Sequence, residues 1–251
     1  MAKILAITNQ KGGVGKTTTA CEIAYLLGDK YKTLAIDLDS QRNFSMYAGA
    51  DLDKPGIYEV LNAEILLQDA VQHVKTYDLL TASKKLADSA KEFGEPDDIF
   101  LLQDVLENVD YDYVVIDTAP ARSPLLYMTY LAADYIIPVT ECDDGSREGI
   151  KELYTDMKRF KKRGQCHAKI LGILMTKFEK TSMHLTALEE LASLSEEFET
   201  SLFNTRIRKA IVVSESKTAR LSINEYERWN NAAVDYRNVI KEIEERIARD
   251  E

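Results

Sequence analysis

Cysteine, proline and tryptophan are scarce in this 251-residue chain, with three, five and one copies. The cysteines, Cys21, Cys142 and Cys166, are odd in number, far apart and without a C-x-x-C pair. That argues against a disulfide framework or a cysteine metal cage and suits a reducing compartment, the cytoplasm. With so few prolines, and no glycine/serine-rich or repetitive stretch, nothing marks a linker, so a single domain over residues 1–251 is expected. No apolar run approaches the roughly 18 residues of a membrane span. "MAKILAITN" is too short for a secretory leader and runs straight into a glycine loop. An excess of positive charge is missing too: 32 Lys and Arg against 42 Asp and Glu leave a net charge of −10. Overall basicity therefore cannot grip nucleic acid, although local patches still can.

What is present is an ordinary apolar share, 45%, laid out as short β-rich runs between longer helical patterns. Strands are predicted at 3–8, 33–38, 77–82, 113–117, 135–139 and 170–176, with a weaker one at 201–207. Their near-continuous Ile, Val and Leu content calls for cover on both faces. Helices are predicted at 16–29, 98–109, 123–132, 146–163, 181–196 and 224–248. The last carries Trp229, Ala233, Tyr236, Ile240, Ile243 and Ile247 at the spacing of a core-facing stripe. The alternation predicts an α/β fold, a mostly parallel twisted sheet flanked by helices on both faces. Charge is uneven along it. Residues 86–112 hold nine acids against the single Lys91, whereas 201–220 hold five bases against the single Glu215. "KRFKKR" at 158–163 is a second basic knot.

Chemistry concentrates in three stretches. The first strand is followed by "NQKGGVGKTTT" (9–19) and then a helix, the setting of a phosphate-binding loop. Gly12, Gly13, Val14 and Gly15 would close backbone N–H groups around phosphate oxygens at the helix N-terminus. Lys16 would reach the outer phosphates, Thr17 would ligate Mg²⁺ and Thr18 would contact the α-phosphate. "IDLDSQRN" (36–43) places Asp37 and Asp39 at the carboxyl edge of a buried strand, one to hold Mg²⁺ through water and the other to orient an attacking water. "YDYVVIDTAP" (111–120) ends its apolar run on Asp117, the Walker-B position for the Mg²⁺ shell. Lys11 lies five residues before Lys16, where the near side of the phosphates is already served. It suits the phosphates of a facing subunit, as a trans-acting cation.

"KGGVGKTTT", "IDLDSQRN" and "YDYVVIDTAP", with "YIIPVTE" (135–141), "GIKEL" (149–153) and "FNTRIRKAIVVSES" (203–216), resemble the ParA/MinD group of P-loop ATPases with the deviant Walker A motif, and within it the ParA partitioning branch. The resemblance implies a P-loop NTPase fold and a Mg²⁺-dependent ATPase, with ATP and Mg²⁺ as its ligands. It further implies an ATP-dependent homodimer, non-specific DNA binding at the nucleoid and stimulation by a ParB-like adaptor. On it, Lys11 is the trans-acting signature lysine and Lys16 the phosphate lysine. Thr17, Asp37 and Asp117 serve the metal site, Asp39 orients the water with Asp37 behind it in the same switch, and Arg208 lies in the segment that contacts the base. The chain departs from the family pattern at Ser40 and Ala119, where proline is usual, and in the acidic, lengthened "PVTECDDGSREG". No helix-turn-helix extension precedes the first strand, so DNA contact is expected from surface cations, first Arg206, Arg208, Lys209, Lys217 and Arg220, then the 158–163 knot. A membrane-positioning role is disfavoured by the acidic last eleven residues, five acids against three bases. The other readings on this scaffold are a positioning ATPase for another cargo and a metabolic enzyme of the dethiobiotin or cobyrinate synthetase kind.

Overall fold

The computed structural model describes residues 1–250, with Asp144 in its backbone alone. Eight strands form one sheet: β1 (Lys3–Thr8), β2 (Thr33–Asp37), β3 (Gln72–Val74), β4 (Tyr77–Leu80), β5 (Tyr113–Asp117), β6 (Tyr135–Thr140), β7 (Lys169–Ile170) and β8 (Leu174–Met175). Their order is β3-β4-β2-β5-β1-β6-β7, with β8 continuing the pairing on β6. Every pairing is parallel except β3 with β4. The helices are α1 (Lys16–Gly28), α2 (Asn43–Ala48), α3 (Ile57–Leu61), α4 (Leu67–Ala70), α5 (Ser89–Glu92), α6 (Leu101–Leu106), α7 (Pro124–Ala132), α8 (Asp144–Lys162), α9 (Ser182–Glu197), α10 (Val212–Thr218), α11 (Ile223–Tyr226) and α12 (Asn231–Asp250). The predicted mostly parallel sheet with helices on both faces is the fold observed.

Strand alternation sorts the core into layers. Leu5, Ile7, Ala35, Val115 and Ile137 face α1 and α12, meeting Ile23, Leu27, Tyr236 and Ile243. Their neighbours Leu34, Ile36, Val114 and Ile116 face the other way, onto Ile57, Leu102, Leu106, Leu125 and Met128 of α3, α6 and α7. Farther along the sheet, Ala6 and Ile136 meet Leu126 and Tyr130 of α7 and Leu153, Met157 and Phe160 of α8. Each such buried Leu or Ile contributes on the order of 1.5–3 kcal/mol.

Three predicted elements differ from those observed. The run 170–176 is broken at Gly172, where a Cβ would stand 2.4 Å from the Arg246 guanidinium. Arg246 reaches in from α12 and donates to Leu171 O and Leu202 O, occupying carbonyls that a longer strand would pair. Residues 201–207 make only an isolated bridge, Ile173 with Leu202. The N–H groups of Asn204 and Thr205 go to the Glu242 carboxylate and that of Arg208 to Asp235, both on α12, and not to a neighbouring strand. The expected helix 224–248 is two, α11 and α12, because Asn230 accepts the Ala232 N–H and starts a new helix. Trp229 falls in the turn between them and is 82% exposed, so the buried stripe begins at Ala232 instead.

Candidate nucleotide site

The carboxyl ends of β1, β2, β5 and β6 meet at one edge of the sheet, where open α/β sheets take their ligands. The chain leaving β1 there is the glycine turn. Gly13 and Gly15 have φ of 83° and 90°, a left-handed backbone that only glycine adopts without strain. Other parts of the molecule hold this turn in shape. The Asn9 side chain donates to Val139 O (2.8 Å) and Ser146 O (3.1 Å) and accepts the Lys11 N–H (2.9 Å). Thr176 Oγ1 donates to Val14 O and Lys177 Nζ to Gly13 O, each at 2.7 Å. Helix α8 runs so close behind that a Cβ on Gly149 would stand 2.1 Å from Asn9 Oδ1. These contacts brace the loop from several elements, the kind of support on which preorganised electrostatics depends.

Helix α1 starts at Lys16 with Gly15 before it and no side-chain cap. Its first N–H groups have no carbonyl a turn back to bind, and the positive end of its dipole lies there. A phosphate answers both needs. Lys16 is 6% exposed and donates to Lys11 O at 2.7 Å. Burial lowers its proton affinity, and the nearby carboxylates of Asp117 and Asp39 partly restore it.

The carboxylates have different tasks. Asp117 is fully buried, and neither of its oxygens has a hydrogen-bond partner among the described residues. Burial pushes its proton affinity far above the usual carboxylate range, and the charge of neighbouring Asp37 raises it further. Thr17 stands near enough to ease that charge, without meeting hydrogen-bond geometry. A buried carboxylate left unpaired beside a hydroxyl fits a hard cation such as Mg²⁺, which takes oxygen ligands. Asp37, in register with Asp117 on the next strand, is occupied differently. Its Oδ1 accepts the Asp39 N–H (3.1 Å), and its Oδ2 accepts both the N–H (2.9 Å) and the hydroxyl (2.7 Å) of Ser45. Burial raises its pKa to about 6. Asp37, read from the sequence as a metal-site residue, thus also holds the 37–45 turn in place beside Asp117. Asp39 accepts the Gln41 N–H on Oδ1 at 2.9 Å, and its charge reaches Lys16 and Asp117.

A pH effect follows. Asp117 and Asp37 bind protons more tightly in the folded chain than in the unfolded one, so folding loses stability as pH rises above the ordinary carboxylate range. Asp117→Asn removes the one of these two carboxylates that has no hydrogen-bond partner among the described residues. At pH 8, without nucleotide or magnesium, the variant is expected to melt a few degrees above the parent, about 1–3 kcal/mol. The gap should close as pH falls below about 4. Thermal denaturation against pH measures it, and equal curves for both proteins would remove the unpaired-charge reading.

Lys11 and Arg208, the remaining residues singled out in the sequence, are both held within their own subunit. Lys11 Nζ pairs with Asp143 at 2.6 Å. The Arg208 guanidinium forms two 2.7 Å bonds to Asp235, while its backbone bridges to Phe178, next to the loop-holding Lys177. Asn9, Gly149, Thr176 and Lys177 were not read as site residues. Thr176 and Lys177 did leave a signal, a polar pair ending an apolar run at the same sheet edge as Asp37 and Asp117.

Buried lysine, uncapped helix and unpaired carboxylate, converging where β1 and β5 end, are the working parts of a P-loop nucleoside triphosphatase. A family model described as an AAA domain matches residues 2–170. The chain is 31% identical to an uncharacterised protein of Pseudomonas putida, over 99% of this chain and 97% of that one. It is 29% identical to the chromosome-partitioning ATPase Soj of Thermus thermophilus, over 97% and 96% of the two chains. Among solved structures, apo McdA of Cyanothece superposes with a TM-score of 0.89 at 21% identity, covering 97% of this chain and all of that one. Cobyrinic acid a,c-diamide synthase of Mycobacterium smegmatis, with bound ADP and magnesium, superposes with a TM-score of 0.82 at 25% identity, covering 96% and 93%. The chain belongs to the ParA family of P-loop ATPases and is an ATPase.

Proposed function

We propose that this ATPase is a partitioning switch: ATP pairs two subunits face to face, the pair holds DNA without sequence preference, and hydrolysis, stimulated by a ParB-like adaptor, releases it. Residues 1–251 act in this reading as one P-loop domain. The observation that carries it is the doubled lysine. Lys16 is buried at its own phosphate loop, whereas the Lys11 side chain is 37% exposed at the rim, where a partner's phosphates can reach it. Lys16 and Thr17 would hold the nucleotide and Mg²⁺ with Asp117, and Asp39 would orient the water. The metal would supply charge neutralisation of the phosphates. The similarity to the chromosome-partitioning ATPase of Thermus supports this reading. The diamide synthase supports a second, an ATP-dependent metabolic enzyme without pairing or DNA. Sedimentation with ATP, with ADP and with neither, each with and without duplex DNA, separates them. ATP-specific pairing with DNA retention is expected; nucleotide binding with neither would favour the enzyme.

For the DNA contact, the ion pairs held by these side chains favour the second candidate patch over the first. Of the first set, Arg208 is paired with Asp235 and Lys209 with Glu179. Lys217 is half-buried over the Tyr47 ring, and Arg206 lies over Phe178. In the 158–163 knot, Lys158, Lys161, Lys162 and Arg163 are exposed at the end of α8 and have no carboxylate partner among the described residues. Lys158 and Lys161 line a cleft of about 720 Å³ with Lys169, Arg246 and Arg249, at the N-terminal edge of β6, away from the phosphate loop. Lys158→Glu with Lys161→Glu should therefore weaken DNA retention at least tenfold and lower the salt slope by about two, with ATP turnover in the absence of DNA unchanged. Filter binding across a salt series reads it, and parental retention in the double variant would send the contact back to Arg206 and Arg220.

A further inference from the structure

Lys11 is not free to serve a partner in the single subunit. Its ammonium lies 2.6 Å from Asp143 Oδ1, and its methylenes rest on the backbone of Gly145, where an added Cβ would sit 3.5 Å from its Cδ. Asp143 is the residue that caps α8. Its Oδ1 accepts the Ser146 N–H at 2.8 Å and its Oδ2 the Ser146 hydroxyl at 3.1 Å. The carboxylate is therefore anchored twice without Lys11, and the lysine can leave while the cap stays. Asn9 binds the Lys11 N–H and also Ser146 O, so the loop carrying the lysine and the helix end carrying its partner are stitched together.

A phosphate group and the Asp143 carboxylate compete for the same ammonium. Both are anions, and a phosphate approaching Lys11 while it stays on Asp143 meets a like charge within a few ångströms, which is unfavourable. We propose that Asp143 is a positioning residue that keeps Lys11 in its own subunit until a facing, nucleotide-loaded subunit offers phosphate in exchange. It rests on the trans role of Lys11 proposed above. The exchange sets a threshold on pairing: each subunit gives up one ion pair when the dimer forms. Both side chains are about one-third exposed, 37% and 35%, so the hold is that of a surface ion pair, weak enough to release. The carboxylate at the helix N-terminus keeps a favourable place after release, because the helix dipole favours negative charge there.

Asp143→Asn is the clean variant, since asparagine caps helices as well as aspartate does but carries no charge. Two released latches per dimer should tighten the ATP-dependent dimer dissociation constant by about fivefold to thirtyfold. Turnover at low protein concentration should rise with it, while kcat at saturating protein stays within about twofold. Asp143→Ser, which also keeps a cap, should behave alike, and Asp143→Glu should return the constant towards the parental value. Thermal denaturation of each variant reports the cap separately from the pairing. A parental dimer constant in both Asp143→Asn and Asp143→Ser, with ATP-driven pairing intact in the parent, overturns the latch alone. Weaker pairing in these variants also overturns it, since Asp143 would then be assisting the dimer. No ATP-driven pairing in the parent overturns the switch reading and the latch with it.

Discussion

Lys16→Ala binds ATP at least about 100-fold more weakly than the parent and hydrolyses none at ordinary concentrations, the expected loss when a buried charged partner is removed from a bound anion. Lys16 is almost wholly buried, and its ammonium donates to Lys11 O. Its amine is held at reduced proton affinity by burial, with Asp117 and Asp39 as its nearby counter-charges. Phosphate oxygens at the head of α1 add negative charge beside it and raise its proton affinity again, so binding and protonation reinforce one another. The loop does not depend on Lys16 alone for its shape. Asn9, Thr176 and Lys177 grip it from β6, α8 and the segment after β8. The variant should therefore fold with nearly parental thermal stability and lose ligand binding, a separation that titration with a fluorescent ATP analogue and a melting curve establish together. Intact affinity in a folded Lys16→Ala would remove the phosphate-loop assignment.

The parts of this site that the sequence made legible share one property: they are local. The turn 9–15 shows itself by glycine spacing between a strand and a helix, and it holds Gly13 and Gly15, two of the four positive-φ glycines among the described residues. Asp37 and Asp117 show themselves by closing apolar runs, and the register that sets them side by side follows from parallel pairing of the two strands. What was hidden depends on contacts over long separations. Asp143 lies 132 residues from Lys11 and reads in sequence as part of an acidic stretch, yet it is the cation's partner. The run 201–207 has strand composition and still makes no strand, because Glu242 on α12 takes the N–H groups of Asn204 and Thr205 in its middle and interrupts the pairing that Phe203 and Ile207 make with Ile173 and Met175. The basic set 201–220 read as a surface patch, but α12, Glu179, Tyr47 and Phe178 occupy four of its five side chains. β3 was too short, at three residues, to stand out by alternation.

Asp39→Ala is expected to leave ATP affinity within about threefold and to reduce turnover by 10²- to 10⁴-fold, the usual effect of removing a group that positions or deprotonates the attacking water. The geometry separates the two effects. Asp39 lies in the turn after β2, while Lys16 and the head of α1, which would hold the phosphates, follow β1. Only the Asp39 side chain is removed by the substitution. Its backbone N–H still donates to Asp37, and Asp37 still holds Ser45, so the turn keeps its path. The Gln41 N–H, which binds Asp39 Oδ1, is the one interaction lost within the turn; a net hydrogen bond of that kind contributes about 0.5–1.5 kcal/mol, too little to unfold the domain. If the switch reading holds, a subunit that binds ATP but cannot cleave it should accumulate as the paired, DNA-retaining form. Sedimentation of Asp39→Ala with ATP should then show a dimer that persists after free nucleotide is removed, whereas the parent reverts to single subunits. A variant that traps nothing yet still binds ATP would leave the ATPase standing and separate hydrolysis from pairing. Parental turnover would assign the water to another residue. Because Lys16→Ala blocks entry to the cycle and Asp39→Ala blocks its exit, opposite pairing behaviour in the two variants distinguishes a switch from an enzyme that merely uses ATP.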